Sequence, residues 1–218
     1  MQRYKLLRQC GQIDNPLYGL CTTGCLCPVQ RPVNGAPSRI PPEGVCGDYR
    51  IEHFTVTPEE EARTRIRFWR DEHVKAGDYV RLMRGRTVVM SDTPMEMRTN
   101  QPILHNATGD VLINGLGVGM VLRHILAKPD VRSVTVVEIS PDVISLVGPT
   151  FCDDPRVRIV QCSAFDYQPP KGERYDAVWH DIWDFICSDN LDEMKTLHRK
   201  YGRRTNWQAS WCREQCER

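Results

Sequence analysis

The stretch Asp110-Val-Leu-Ile-Asn-Gly-Leu-Gly-Val-Gly-Met120 leaves this chain few choices of fold. Val111 to Ile113 form a short apolar run that breaks at Gly115, Gly117 and Gly119, after which Val121, Leu122, Ile125 and Leu126 recur at helical spacing. The pattern predicts a strand, a glycine turn and a helix. The helix ends near Ala127 to Asp130, where Pro129 cannot continue it, and Val134 to Val137 read as a second buried strand closing on Glu138. Together these form one βαβ unit of about thirty residues. Glycines between a parallel strand and its helix let the backbone turn tightly and let a ligand approach the main chain. An acidic residue roughly twenty positions later can accept both hydroxyls of a ribose, and Glu138 stands there. The dinucleotide pattern GxGxxG is not met, because the third glycine falls one position early, at Gly119. A nucleoside without a pyrophosphate is therefore favoured over NAD. Gly115 and Gly119 also have the spacing of a membrane helix-packing motif, but Asn114, Arg123 and His124 interrupt the apolar run well short of a spanning length.

The same counting extends along the chain. Ser140 caps and Pro141 opens a helix bearing Val143, Ile144 and Val147, Val157 to Val160 form a third strand, and Ala177 to Trp179 a fourth. Right-handed crossovers predict the order 3-2-1-4, with a crevice at the carboxyl ends of the strands where the order reverses. The glycine turn, Glu138, Ser163-Ala164 and Asp181 all fall at those ends. Ahead of this unit, Tyr49 to Val56 read as a strand, and Thr57-Pro58-Glu59-Glu60 as a capping box opening a helix with Ala62, Ile66 and Trp69 on one face. Tyr79 to Met83 and Arg86 to Met90 pair as a hairpin through Arg84-Gly85, and Ser91 or Asp92 starts a helix with Pro94 in its first turn.

A chain of 218 residues bearing a net charge of +1 has one sizeable core and no overall attraction to nucleic acid or anionic lipid. The chain divides into an irregular Cys- and Pro-rich arm over 1–47, a small strand, helix and hairpin region over 48–100, and an α/β nucleoside-binding domain with C-terminal helices over 101–218. The first residues, Met-Gln-Arg-Tyr-Lys-Leu-Leu-Arg, contain no apolar leader and no later run spans a bilayer, so the expectation is a cytoplasmic protein with mostly reduced thiols among its ten cysteines. Cys21, Cys25 and Cys27, with Cys10 or Cys46, could hold a tetrahedral zinc, but the spacing is not that of a standard ribbon; the main reading is free cysteines and no metal.

Asn114-Gly-Leu-Gly-Val-Gly119, Val136-Val-Glu-Ile-Ser140, Asp154-Pro-Arg-Val-Arg158, Ser163-Ala-Phe-Asp166 and Tyr175-Asp-Ala-Val-Trp-His-Asp181 resemble, in order and spacing, the successive motifs of class I S-adenosylmethionine-dependent methyltransferases. The closest branch is that of spermidine synthase-like proteins, and the likeness runs from Val88 to Asp184. It implies a Rossmann-like open parallel sheet with S-adenosylmethionine held by Asn114, Gly115, Leu116, Gly117, Gly119, Glu138, Ile139, Ser163, Ala164 and Asp181, and Met95 and Glu96 at the pocket entrance. By the same resemblance Asp181 is the base, Asp184 orients the nucleophile, and Trp183 walls the pocket; the structural alternative makes Asp181 a helix cap and Trp183 core. The activity expected is methyl transfer to an unidentified acceptor. Aminopropyl transfer to a polyamine is the alternative, and a non-catalytic nucleoside-binding or assembly protein a third.

The chain also departs from that pattern. The Ser-Asp-Pro continuation of polyamine synthases is missing after Asp181, the Asn/Asp-Pro-Pro-Tyr signature of amino-methylating DNA enzymes is absent, and Ser163 replaces an acidic residue that by the resemblance contacts the base, which implies either weaker cofactor binding or a contact carried by the Ala164 backbone. Past Asp184, Asn190-Leu-Asp-Glu193 reads as a second capping box before a helix striped by Leu191, Met194, Leu197 and Tyr201. Trp207 to Arg218 read as a last short helix, so the sheet is expected to be truncated, its open edge covered by the arm, the last helices or a second subunit. Lys195, His198, Arg199, Lys200, Arg203 and Arg204 form a basic stretch read as a solvated face rather than a nucleic-acid grip.

Overall fold

The computed structural model describes residues 39–67 and 74–217. Cys10, Cys21, Cys25, Cys27 and Trp69 lie outside the described residues, as does the arm up to residue 38. Cys46 is described, and its thiol donates to Asp142 Oδ1 at 3.5 Å.

Two sheets organise the chain. The first is antiparallel, in the order β1 (Gly44–Cys46), β2 (Tyr49–Val56), β3 (Gly77–Arg84), β4 (Thr87–Ser91). Helix α1 (Pro58–Arg67) follows β2, and its capping box forms: Glu60 N–H donates to Thr57 Oγ1 at 3.2 Å, and Thr57 N–H to Glu60 Oε2 at 2.8 Å. Two short helices, α2 (Pro94–Thr99) and α3 (Gln101–Asn106), lead into the second sheet.

That sheet is built from β5 (Gly109–Asn114), α4 (Met120–Leu126), β6 (Val131–Glu138), α5 (Pro141–Val147), β7 (Val157–Gln161), β8 (Tyr175–His180), α6 (Asn190–Tyr201), β9 (Thr205–Ser210) and α7 (Arg213–Cys216). The order is β7-β6-β5-β8-β9, and every neighbouring pair is parallel. The expected 3-2-1-4 arrangement stands, extended by a fifth strand. β9 corrects the helix expected from Trp207 onward, of which only Arg213–Cys216 is helical. Thr-Asn-Trp-Gln-Ala-Ser carries too few apolar residues to betray a strand by alternation. It is held as one because Trp207 stacks on Trp179 of β8 with ring centroids 6.4 Å apart. The second capping box does not form either: no side chain caps α6, and Asn190 Nδ2 donates instead to the Phe185 carbonyl at 2.7 Å.

Strand pleating sorts the core onto two faces. Val111, Ile113, Val134, Val136, Ala177 and Trp179 pack with α3, α4 and the first sheet's Ile51, Val80 and Leu82. Leu112, Val137 and Val178 face the other way, onto Tyr167, Tyr175, Leu197 and Tyr201. Both faces of β5 are thus covered, which accounts for its unbroken apolar run. Among the described residues no helix is long and apolar enough to cross a membrane.

The loop before β7 is pinned by Asp154, whose buried carboxylate accepts from the Arg156 backbone N–H at 3.0 Å, Arg156 Nη2 at 2.8 Å and Arg39 Nη2 at 2.6 Å. The Arg156 guanidinium, with Arg39 behind it, holds this carboxyl well below the usual range. A depressed folded pKa stabilises above the unfolded value, near 4, and the contribution is lost as the pH falls. Asp154→Asn should therefore cost about 2 kcal/mol in urea melts at pH 7, with the gap to wild type narrowing as the pH is lowered from about 4 toward 2.

Candidate active site

The glycine turn is shaped by the chain's own packing. Gly115 has φ 102°, and a Cβ there would lie 1.9 Å from the Asp181 carbonyl oxygen, so the end of β8 can close on the end of β5 only if residue 115 has no side chain. At Gly117, with φ 52°, a Cβ would lie 2.1 Å from the Met90 sulfur, which reaches across from β4. Glu138, 8% exposed, ties this turn to β6. Its carboxylate accepts the Leu116 N–H at 2.9 Å and the Ser140 N–H at 2.7 Å, and burial raises its pKa against the pull of those donors. Ile139, next in the chain, is 68% exposed at the mouth. Ser140 caps α5 as expected, accepting from the Val143 N–H at 3.3 Å.

Asn114 is fully buried, its Nδ2 donating to His180 Nδ1 at 2.7 Å. That donor leaves the proton on His180 Nε2, which meets Gln208 Oε1 at 3.3 Å; burial pulls the imidazole down to about 3, so it is neutral. Asn114 Oδ1 has no partner among the described residues. Ser163 turns inward on its own loop, its Oγ accepting the Phe165 N–H at 3.2 Å.

Asp181 follows β8, its N–H donating to the Asn114 carbonyl at 2.8 Å. The residue keeps some exposed surface, but its carboxyl is enclosed. Burial pushes that carboxyl up to about 8, with the Glu96 charge adding and the Trp179 indole opposing. Glu96, on α2, is pushed by burial to about 7 against a Ser91 N–H. Cys212 belongs to the same cluster: burial pushes its thiol up to about 12, and the charges of Asp181 and Glu96 add to this. It alone among the described non-glycine residues has a positive φ, 49°.

Asp184 does not join Asp181. It pairs with Arg84 at the end of β3. Trp183 donates through Nε1 to Glu193 Oε2 at 2.7 Å, and its ring packs beside Ile182 on the lower core. The D-x-x-D spacing thus delivers one enclosed acid, and the acid that joins it comes from α2. Sequence reading placed Glu96 at the entrance but gave no sign of this pairing, nor any signal for Cys212. The basic stretch is dispersed: Lys195 pairs with Asp192, Lys200 is spent on carbonyls, and His198 Nε2 meets Ser210 Oγ at 2.9 Å. Two cavities of about 430 and 640 Å³ adjoin along β3, sharing Ile40, Asp78, Tyr79 and Asp92, and neither is lined by a crevice residue.

No protein-family model matches the chain. A polyamine aminopropyltransferase of Streptomyces coelicolor is 35% identical over 114 residues, covering 46% of this chain and 21% of that protein. One from Escherichia fergusonii is 33% identical over 104 residues, covering 42% and 34%. The matched segment thus spans about a third or less of these relatives. Among solved structures, Thermotoga maritima spermidine synthase aligns at TM-score 0.44 and 20% identity over 77% of this chain and 53% of that one. The N-methyltransferase NodS of Bradyrhizobium japonicum aligns at 0.40 and 14%, over 50% and 61%. The Rossmann-like assignment rests on strand order and parallel register. These relatives are named as aminopropyltransferases, which overturns the expectation of methyl transfer and, with it, of methyltransferase as the chain's description.

Asp181 allows a direct test of the enclosed acid. Its folded pKa, about 8, lies above the ordinary 3.8, so the unfolded chain loses this proton first and stability falls as the pH rises between those values. In ligand-free protein, Asp181→Asn should match wild type near pH 4 and melt about 3–6 °C higher at pH 9. A lower melting temperature at pH 9 would mean that a cation already neutralises the carboxylate.

Proposed function

We propose that the crevice transfers an aminopropyl group from decarboxylated S-adenosylmethionine to an amine. The observation that carries this reading is the enclosed acid pair: the charge acting on Asp181 is that of another acid, Glu96. Two buried carboxyls with raised pKa values are complemented by cations, and this reaction brings several: the donor's sulfonium, the ammonium of its aminopropyl chain and the ammonium of the acceptor. A carboxylate on the donor would face the pair at a cost, which favours the decarboxylated form over S-adenosylmethionine itself. The glycine turn and Glu138 would hold the nucleoside, with Ile139 against the base and Ser163-Ala164 beside it. In the transfer the acceptor ammonium gives a proton to ionised Asp181, the freed lone pair attacks the aminopropyl carbon bonded to sulfur, that carbon–sulfur bond breaks with its electron pair going to sulfur, methylthioadenosine leaves neutral, and the product nitrogen carries the positive charge. Positioning supplies most of the remaining acceleration, because the sulfonium is already a good leaving group.

A second reading is favoured by two contacts: Met90 packs over Gly117, and Arg84 occupies Asp184. A chain so filled could bind a nucleoside without turning it over.

One assay separates these. The full chain is incubated with decarboxylated S-adenosylmethionine and 1,4-diaminobutane, and methylthioadenosine release is followed from pH 6 to pH 9.5. We expect turnover that rises through about pH 8 as Asp181 deprotonates, and a loss of about 100-fold or more in Asp181→Asn with donor binding retained. Calorimetry should show the decarboxylated donor binding at least about tenfold more tightly than S-adenosylmethionine, the ratio shrinking in Glu96→Gln. Equal affinity for the two donors would sink the electrostatic argument. Donor binding without product would establish the second reading.

A further inference from the structure

Helix α6 follows the last of the sequence motifs, which end at Asp184, yet its last turn reaches back to the loop after β7. Lys200 Nζ donates to the Ala164 carbonyl at 3.0 Å and to the Phe165 carbonyl at 2.5 Å, and Tyr201 Oη donates to the Ala164 carbonyl at 3.2 Å. Burial draws the Lys200 ammonium below its ordinary pKa, so these bonds are made at some cost to the charge. An ammonium half-removed from water to hold two backbone oxygens is an expensive fastening for an ordinary loop.

The peptide geometry shows what the fastening presents. In a trans peptide the C=O of one residue and the N–H of the next point in opposite directions. The Ser163 carbonyl accepts from Asp166 N–H at 3.0 Å and Tyr167 N–H at 2.9 Å, which turns it into the loop and turns the Ala164 N–H outward. The next peptide is fixed at both ends, with the Ala164 carbonyl held by α6 and the Phe165 N–H on Ser163 Oγ. The Ala164 N–H is thereby oriented by both flanking peptides, and among the described residues none accepts from it. Ala164 is 6% exposed, and a backbone donor at so buried a residue calls for an acceptor. The loop also adjoins the ribose end of the crevice, since Cys162 N–H donates to the Glu138 carbonyl at 3.0 Å.

We infer that Lys200 and Tyr201 are positioning residues of the nucleoside site: they hold the 163–165 backbone so that the Ala164 N–H meets a ring nitrogen of the bound base. The inference rests on reading the crevice as a nucleoside site, and on no particular transfer reaction. Ser163 is then a loop former, in keeping with its bond to Phe165, and base recognition depends on a helix that touches no part of the ligand.

The test uses the full chain with adenosine and its 1-deaza, 3-deaza and 7-deaza analogues in calorimetric titrations, alongside thermal melts that confirm folding. Wild type should bind adenosine and discriminate against one analogue by about tenfold, the worth of one well-placed hydrogen bond. In Lys200→Met, adenosine affinity should fall about tenfold and that discrimination should shrink to about twofold or less; Tyr201→Phe should fall between. Hydrogen exchange in the ligand-free Lys200→Met chain should speed up at Phe165, Asp166 and Tyr167, whose amides are bonded within the loop, while the β5 and β6 amides stay protected. Lys200→Met that keeps wild-type affinity and discrimination overturns the inference. A wild-type chain that binds none of the four nucleosides overturns it together with the proposed function. Binding with intact discrimination but no aminopropyl transfer leaves the clamp standing and removes only the reaction.

Discussion

The Asp181 carbonyl oxygen occupies the space that a side chain at residue 115 would need. That one exclusion decides how the two central strands end. β5 turns into α4 through a left-handed glycine, β8 closes against the turn, and the Asp181 N–H completes the join on the Asn114 carbonyl. Glu138 secures the other side by accepting the Leu116 N–H. Two neighbouring strands are thus fastened to one turn by a contact that no L side chain would permit. The crevice exists because the three strand ends cannot separate, and the glycines serve the chain's own closure before they serve any ligand.

That closure also sets the electrostatics. With Asn114 and His180 locked as a neutral buried pair, the first side chain free to leave β8 is Asp181, delivered into an enclosure that already holds Glu96. A carboxyl there is costly to ionise, and among the described residues no guanidinium pairs with it; Arg84 at the hairpin end is engaged by Asp184. The division of labour between the two aspartates of D-x-x-D follows: one is satisfied at the surface, where an ion pair is worth little, and one is left unsatisfied inside, where it matters to whatever cation enters.

What could be read in the sequence was local in character. Strand, glycine turn and helix, the place of Glu138, the capping box at Thr57 and the 3-2-1-4 order all follow from short-range pattern and from the handedness of crossovers. The failures share a different cause. β9 is a strand because Trp207 finds Trp179, and no alternation within six residues announces that. Asp184 is taken up by Arg84, a hundred residues earlier in the chain. The charge of Glu96, on a short helix far earlier in the chain, acts on Asp181, and no pattern within either segment announces that. The expected capping box at Asn190 does not form: the N-cap position falls on Asp189, Asn190 donates through Nδ2 to the Phe185 carbonyl, and Glu193 accepts from the Trp183 indole, in a loop whose course the sequence does not specify. Motifs report which chemistry is available; tertiary contacts decide which of those groups are used up before a ligand arrives.

The last thirty residues carry more of the site than a family motif would assign them. β9 covers the flank of β8 and places Gln208 where it meets the proton of His180, whose other nitrogen orients Asn114. α6 grips the loop after β7, and the start of α7 sets the Cys212 thiol among the same charges as Asp181. A sheet cut off after its fourth strand would leave the flank of β8 open to water and make the Asp181 carboxyl easier to ionise. Here the C-terminal segment covers that flank, so the raised pKa of Asp181 is a property of these last elements as much as of β8 itself.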